Sequence, residues 1–460
     1  MSSEGTAATS ATQGLSRSLA PRHVTMISIG GIIGAGLFVG SSAAIAAVGP
    51  AVVLSYLIAG LLILLVMRML AEMASITPAA RSFTEFARAG LGRGAGFVVG
   101  WLYWFFWVIV VPVEAIAGAG LLHQWVALPA PLLGALLVLI MTGVNLMSAR
   151  SYGEFEFWFS SIKVAAIVLF IVLAGAFVLG LLGSPVPRPV QNLAGQGGFL
   201  PHGTLAVLAG VTTVFFSLTG AEITTVAAVE SRDPQRALTR MTTAVISRIL
   251  LFYVASIFLI VTVVPWNRVV PGESPFTQAL AVMHFSWAGQ AMALIILTAV
   301  LSCLNSAFYV TSRVLFTLAA NDDAPHWLVQ LNARRVPARS VMIGCAAGLA
   351  GVGAASWSSS ARVFSFLMNA SGALIVFVYL ATAWAQMRLR RSCVTTPPVR
   401  MWLFPWATGL AIVGMLAVLA AMALTPGLAS QFYVSFAELV IALGAYGLTA
   451  LRRRRATALN

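Results

Sequence analysis

Apolar runs long enough to cross a lipid bilayer follow one another along almost the whole chain. A transmembrane helix needs roughly 17 to 25 mostly apolar residues, and its backbone must satisfy its own hydrogen bonds in lipid. Because 60% of the residues are hydrophobic and 9% are charged, we predict an all-α integral membrane protein with twelve transmembrane helices. The predicted spans cover residues 24–44, 50–72, 96–122, 130–149, 157–183, 204–228, 241–264, 287–311, 339–357, 363–386, 402–424 and 430–451.

The basic residues predict how these spans are oriented. If the amino terminus is cytoplasmic, Arg188, Arg268 and Arg362 lie outside and Lys163 lies within a span. All other basic residues then lie on the cytoplasmic side, as the positive-inside rule expects. We therefore expect both termini in the cytoplasm, and we attribute the net charge of +14 to membrane orientation rather than to nucleic-acid binding.

The first predicted span contains a cluster of glycines within Met26 to Ser41. They are Gly30, Gly31, Gly34, Gly36 and Gly40. Each glycine weakens a helix by about 1 kcal/mol relative to alanine, and non-helical backbone at membrane depth must be buried in protein or line a wet cavity. One interpretation is an interrupted helix that binds a solute. The other is close helix packing, which small residues at four-residue spacing also favour.

A second interrupted span is predicted between Gly210 and Glu230, where Ser217, Thr219 and Glu222 lie in the middle. Five spans precede it, so its place mirrors that of the first span. Paired broken helices in two halves of five spans are typical of an inverted repeat with the binding site between them. This pattern favours the binding interpretation. The predicted parts are a disordered tail at 1–22, a transmembrane domain at 23–452 with repeats at about 24–183 and 204–386 and two additional helices at about 402–451, and a basic tail at 453–460.

Charged groups at membrane depth are functional candidates because each costs roughly 2.5 to 3.5 kcal/mol to insert. Three of them are Lys163, Glu114 and Glu222, and the polar Asn305 lies at a similar depth. Asn305 either lines a site or bonds a neighbouring helix. The polar residues form no ring of charges, which argues against a channel. The sequence places no nucleophile–base pair and no metal cluster, so we expect neither an enzyme nor a cofactor.

Motifs distributed in order along the chain resemble the amino acid–polyamine–organocation (APC) superfamily, and within it the bacterial amino acid permeases of the γ-aminobutyrate (GABA) type. The resemblance implies a LeuT-like fold of 5+5 helices with helices 1 and 6 broken, and proton-driven uptake of an amino acid across the bacterial inner membrane. The motifs are RHVTM at Arg22, GGIIGAGLFVGSS at Gly30, GPAVVLSYLIAGLL at Gly49, RMLAEMA at Arg68, GWLYWFFW at Gly100, PVEA at Pro112, YGEFEFW at Tyr152, FFSLTGAE at Phe215 and SCLNSA at Ser302.

An amino acid brings a carboxylate and an ammonium group, and broken helices offer partners for both. Amide groups at Ala35 and Gly36 are predicted to bind the carboxylate, and carbonyls near Phe215 to Ser217 are predicted to accept the ammonium protons. The family resemblance makes Phe216 the gate over the substrate, and the alternative is that Phe216 faces lipid. The predicted substrate-binding residues are Ile32, Ala35, Gly36, Phe215, Phe216 and Ser217, with Thr219 and Asn305 as further polar lining.

Three charged residues are predicted to couple transport to protons. Lys163 resembles a lysine whose ammonium stands in proton-coupled relatives where sodium-coupled members of the fold hold sodium. Glu222 and Glu114 are the proton carriers in this interpretation, and each has a structural alternative. The expected partners are protons, lipid and one amino acid, either GABA or an α-amino acid such as proline, an aromatic or a small neutral one. An amino acid exchanger is the remaining alternative, and the oligomeric state is not predicted.

Overall fold

Every regular element in the described part of the computed structural model is helical. The structure describes residues 32–77, 80, 82–147, 149–182, 189–220, 222, 250–393 and 397–458. The predicted tail at 1–22 and the start of the first predicted span lie outside these ranges, as do residues 223–249. The helices are α1 (Ala35–Phe38), α2 (Gly40–Val48), α3 (Val52–Ile76), α4 (Phe83–Leu91), α5 (Arg93–Leu122), α6 (Ala130–Asn145), α7 (Ala149–Val178), α8 (Pro189–Ala194), α9 (Gly203–Leu218), α10 (Leu250–Val263), α11 (Pro275–Val282), α12 (Ser286–Ala320), α13 (Ala338–Trp357), α14 (Ser360–Ser392), α15 (Trp406–Leu424) and α16 (Ala429–Ala458).

Among the described residues, eight helices are long and apolar enough to cross a membrane, and three shorter ones are also apolar. The long ones are α3, α5, α7, α12, α13, α14, α15 and α16, and the shorter ones are α6, α9 and α10. The prediction of an all-helical membrane protein is therefore confirmed.

Helix α5 lies in the middle of the bundle and packs against α4, α6, α12, α13 and α14. Its sequence suits this place because it is apolar on every side, with Tyr103, Phe106 and Trp107 fully or almost fully buried. Gly100 and Gly118 let neighbours approach: an added Cβ would lie 2.6 Å from Leu318 Cδ2 and 2.8 Å from Leu137 Cδ1, respectively. This helix carries Glu114 into the centre of the protein.

The first predicted span is helical only in part. Residues Ile32 to Gly34 form a turn and bend, α1 begins at Ala35, and Val39 interrupts the helix before α2 continues to Val48. Helix α9 ends at Leu218, after which Thr219 is extended and Gly220 has a φ of 124°, a conformation that favours glycine. Helix α9 packs against both α1 and α2, so the two segments lie side by side.

Two elements differ from the sequence-based expectation. The loop after α3 contains the amphipathic helix α4, which Ser82 caps by accepting a hydrogen bond from the Glu85 amide at 3.3 Å. Helix α16 runs through the four arginines that follow Leu451. Arginine and alanine are good helix formers and the chain has no glycine or proline there, so nothing ends the helix where its apolar part ends.

Candidate functional site

The non-helical residues Ile32 to Gly34 are held against the end of α9 by a tyrosine. The Tyr253 hydroxyl lies 2.9 Å from the Ile32 carbonyl oxygen and 2.9 Å from the Ser217 carbonyl oxygen. The Ser217 hydroxyl in turn donates to the Gly36 carbonyl at 2.7 Å. Backbone carbonyls that lack helical partners are therefore satisfied by side chains of α9 and α10. Sequence reasoning missed Tyr253, since a single tyrosine in an apolar run gives no distinguishing pattern.

The carboxylate of Glu114 accepts hydrogen bonds from the backbone amide at the start of α1. The Ala35 amide donates to Oε1 and Oε2 of Glu114, at 3.1 Å each, and Glu114 is buried. Glycine at position 34 lets both side chains approach, because an added Cβ would lie 2.7 Å from Glu114 Oε1 and from Cys303 Sγ and would require them to shift. The place that the sequence predicts for a substrate carboxylate therefore holds a carboxylate of the protein itself.

Lys163 of α7 also bonds to this non-helical stretch. Its Nζ donates to the Ile33 carbonyl at 3.0 Å and to the Ser302 hydroxyl at 2.7 Å. Glu156 Oε1 lies 3.7 Å from Nζ and accepts hydrogen bonds from Ser302 at 2.6 Å and Ser160 at 3.0 Å. Lys163 and Glu156 are both fully buried.

Sequence reasoning missed Glu156. It lies just before residue 157, where span five is predicted to begin, so the sequence does not place it among the charged groups at membrane depth. The structure includes it in the apolar part of α7. The available signal was its spacing, because Glu156 precedes Lys163 by seven residues and two helical turns bring both to the same face.

Gly36 marks the closest approach of α1 and α9. A Cβ added at Gly36 would lie 2.7 Å from Ser217 Cα and 3.1 Å from Phe216 Cδ1. Ordinary carbon contacts are about 3.5 to 4.0 Å, so any larger side chain forces the backbones apart. At this position the packing interpretation of the glycine cluster describes the structure.

A small cavity lies between the two segments and α5. Its volume is about 10 Å³, which is near the lower limit for a single water molecule. Phe216 is 6% exposed and packs against Phe106 with ring centroids 6.3 Å apart, so it does not face lipid. The cavity contains five predicted site residues and brings in five others: it is lined by Ile32, Gly34, Gly36, Phe106, Trp107, Val110, Glu114, Phe216, Thr219 and Cys303.

Three other predicted residues, Phe215, Asn305 and Glu222, do not line this cavity and are bonded to other groups of the protein. The Phe215 carbonyl accepts from the Thr219 amide at 2.8 Å. It therefore stays bonded at the end of α9, whereas the sequence predicts that it is free to bind the ammonium group. Asn305 accepts from Asn145 Nδ2 at 2.7 Å, which is the bond to a neighbouring helix that the alternative interpretation describes. Glu222 is buried and accepts from the Gly220 amide at 3.0 Å and the Tyr379 hydroxyl at 3.3 Å, so it anchors the chain at the end of α9.

A larger cavity of about 630 Å³ begins at Val39, beyond the interruption of the first segment. Glu273 is the ionisable residue among those that line it, together with polar groups such as Gln124 and Gln290. The Ser42 hydroxyl accepts from the Gly272 amide at 3.0 Å and so joins α2 to the rim of this cavity.

The helical architecture is similar to that of a solved structure. A manganese transporter from Eremococcus coleocola has a similar fold, with a TM-score of 0.58, 13% identity and 95% of each chain covered. The chain belongs to the amino acid permease family, whose profile matches residues 23–458. It is a transporter of amino acids and not an enzyme.

Three relatives show how much of the chain this similarity covers. The chain is 44% identical to the GABA permease of Bacillus subtilis over 415 residues, which is 89% of this chain and 88% of the relative. It is 44% identical to a probable GABA permease of Pseudomonas aeruginosa over 447 residues, which is 95% of this chain and 94% of the relative. The aromatic amino acid transport protein AroP of Corynebacterium glutamicum is 37% identical over 428 residues, 92% of each chain.

Proposed function

We propose that this protein is a proton-coupled symporter that imports GABA or a closely related amino acid across the inner membrane of a bacterium. The relatives named GABA permease support the substrate, because they share 44% of residues over most of both chains. We further propose twelve transmembrane helices in a LeuT-like 5+5 inverted repeat with helices 1 and 6 broken, two additional helices, and both termini in the cytoplasm.

In this proposal the substrate binds between the first and sixth segments. Its carboxylate takes the amides of Ala35 and Gly36, and its ammonium group takes carbonyl oxygens near Ile32 and Ser217. The cavity of about 10 Å³ is too small for an amino acid, so the described conformation is one without room for substrate. Opening requires movement of Phe216 and of the Glu114 side chain, which both line the cavity.

The observation that carries the proposed coupling is the bond between the Lys163 ammonium and the Ile33 carbonyl, at 3.0 Å. A fixed ammonium at the broken segment repels a sodium ion and supplies the positive charge itself. Glu114 is the proposed proton carrier. When its carboxylate takes up a proton it loses its charge and binds the Ala35 amide less strongly, and the substrate carboxylate then replaces it. Glu222 is the second proposed carrier.

The energetics of this scheme are sufficient for concentrative uptake. A zwitterion that moves with one proton carries one net charge, and one charge gains about 2.3 kcal/mol from a potential of 100 mV. Because about 1.4 kcal/mol corresponds to a tenfold ratio, such a potential sustains an accumulation of roughly fiftyfold.

Uptake into proteoliposomes tests the proposal. Labelled GABA is offered under an imposed pH gradient, under an imposed sodium gradient and with neither. We expect accumulation with the pH gradient and none with sodium alone. Accumulation driven by sodium alone would contradict the coupling mechanism.

The AroP relative favours a second candidate, a permease for α-amino acids, since its identity of 37% over 92% of the chain is only moderately lower. GABA separates its two charged groups by two more methylenes than an α-amino acid does. Competition of labelled GABA uptake by a panel of α-amino acids decides between the two. Stronger competition by proline, phenylalanine or alanine than by unlabelled GABA would establish the second candidate.

A further inference from the structure

A second buried carboxylate stands behind the ammonium group that bonds the broken segment. Glu156 lies two turns before Lys163 on α7, and its Oε1 is 3.7 Å from Lys163 Nζ. Ser302 of α12 connects them, because its hydroxyl accepts from Lys163 at 2.7 Å and donates to Glu156 at 2.6 Å. Ser160 fixes the same oxygen at 3.0 Å. This cluster does not line the cavity between the two segments.

The charge balance of this region distinguishes the two carboxylates. Lys163 is close enough to interact electrostatically with both Glu156 and Glu114, and all three side chains are buried. A buried charge is tolerated only when it is paired, and one ammonium balances one carboxylate. The geometry joins Lys163 to Glu156 through Ser302, whereas Glu114 is bonded to the Ala35 amide.

We propose that Glu156 is a positioning residue, the counter-charge that keeps the Lys163 ammonium on the Ile33 carbonyl and prevents it from pairing with Glu114. The proposal rests on the proposed function, in which Glu114 must leave the Ala35 amide before substrate binds. Among the described residues, Glu114 is the other buried carboxylate that interacts electrostatically with Lys163, so loss of Glu156 strengthens the attraction between the ammonium and Glu114. The Glu114 carboxylate then remains charged and in place, and it competes more strongly with the carboxylate of the substrate.

The test measures exchange of labelled GABA across proteoliposomes at equal pH on both sides, so that no gradient drives the reaction. Glu156→Gln should raise KM about tenfold, within the usual range of coupling between interacting sites, and it should change the maximal rate much less. Glu156→Asp keeps the charge and should return most of the lost affinity. Glu72→Gln is the matched control because Glu72 is also buried and lies beside Arg390 and Gln386, and its KM should stay near that of the wild type.

The double variant Glu156→Gln with Glu114→Gln distinguishes the proposal from a structural role. Removing the competing carboxylate should bring KM back down, so the two substitutions should be strongly non-additive. An unchanged KM in Glu156→Gln overturns the proposal, and so does a KM in the double variant as high as in the single one. A fall in maximal rate with no change in KM shows a structural role only.

Two further comparisons keep the outcome decisive. If Glu156→Gln does not reach the membrane, its abundance is compared with that of Glu156→Gln combined with Lys163→Gln, which removes the ammonium together with its counter-charge. Recovery supports the ion pair and lack of recovery refutes it. If the wild type exchanges no GABA, the proposed substrate is wrong, and the same variants are measured with labelled phenylalanine when the wild type exchanges that instead.

Discussion

The contact between Gly36 and α9 leads to the most direct test of the site. Gly36→Ala adds a Cβ that would lie 2.7 Å from Ser217 Cα. Ordinary carbon contacts need about 1 Å more than this, and the atom that the new methyl group meets belongs to the backbone and cannot rotate away. The two segments must therefore separate, which also stretches the 2.7 Å bond from the Ser217 hydroxyl to the Gly36 carbonyl.

The size of the effect follows from three terms, two that destabilise the protein and one that stabilises it. Overpacking of this kind costs about 1 to 3 kcal/mol, and weakening one buried hydrogen bond adds about 1 kcal/mol. Replacing a helical glycine by alanine returns about 1 kcal/mol. We therefore expect Gly36→Ala to destabilise the protein by about 2 kcal/mol.

Gly143→Ala is the matched control. Gly143 also lies in a helix, and a Cβ added there meets nothing within 4 Å. Thermal unfolding of both variants in detergent is compared with that of the wild type, and exchange of labelled substrate is measured in parallel. Gly143→Ala should be at least as stable as the wild type, whereas Gly36→Ala should unfold at a lower temperature. Equal unfolding temperatures and equal exchange kinetics for the two variants would refute the packing argument. Normal stability with a raised KM in Gly36→Ala would instead support direct binding of substrate at the Gly36 amide.

Three further substitutions test other parts of the site. Phe216→Ala removes the ring that packs on Phe106, so bound substrate should dissociate faster, whereas Phe258→Ala, at a side chain that is 44% exposed, should leave the dissociation rate unchanged. Tyr253→Phe removes the hydroxyl that the carbonyls of Ile32 and Ser217 share, so the free energy of unfolding should fall by about 1 to 3 kcal/mol. Tyr433 is 62% exposed, and Tyr433→Phe should leave the free energy of unfolding unchanged. Lys163→Ala should abolish accumulation under a pH gradient, and full gradient-driven uptake by this variant contradicts the proposed role of the ammonium.

Hydropathy predicted the helical membrane fold because every long apolar run must be helical in lipid. The pairing of two interrupted segments also led to residues that the structure brings together, since Ile32, Gly36, Glu114, Phe216 and Thr219 line one cavity. Their convergence depends on two short helices, α1 and α9, that pack side by side. That arrangement was accessible from sequence through the matching positions of the two segments.

Other features depend on three-dimensional contacts that leave no periodic signal. The Tyr253 hydroxyl lies within hydrogen-bond distance of two carbonyl oxygens on different segments. Glu156 accepts a hydrogen bond from a serine that lies 146 positions away in the chain. The helix α4 was overlooked because it is short and amphipathic, and its arginine Arg88 bonds to Asp323 after the end of α12. Gly90 in this helix faces Ala385 of α14, and a Cβ added at Gly90 would lie 2.8 Å from the Cα of Ala385.

The polar groups around Ile32 to Gly34 suggest why one short segment can link binding to coupling. Three backbone groups there are bonded to three different helices: the Ile32 carbonyl to Tyr253 of α10, the Ile33 carbonyl to Lys163 of α7, and the Ala35 amide to Glu114 of α5. A change in the charge of either ionisable partner therefore alters the forces on the same three residues. In the proposed mechanism, substrate that takes the Ala35 amide must displace Glu114 and so changes the electrostatic balance that also holds Lys163. The proposal therefore links binding and proton exchange through a shared set of hydrogen bonds rather than through a distant conformational relay.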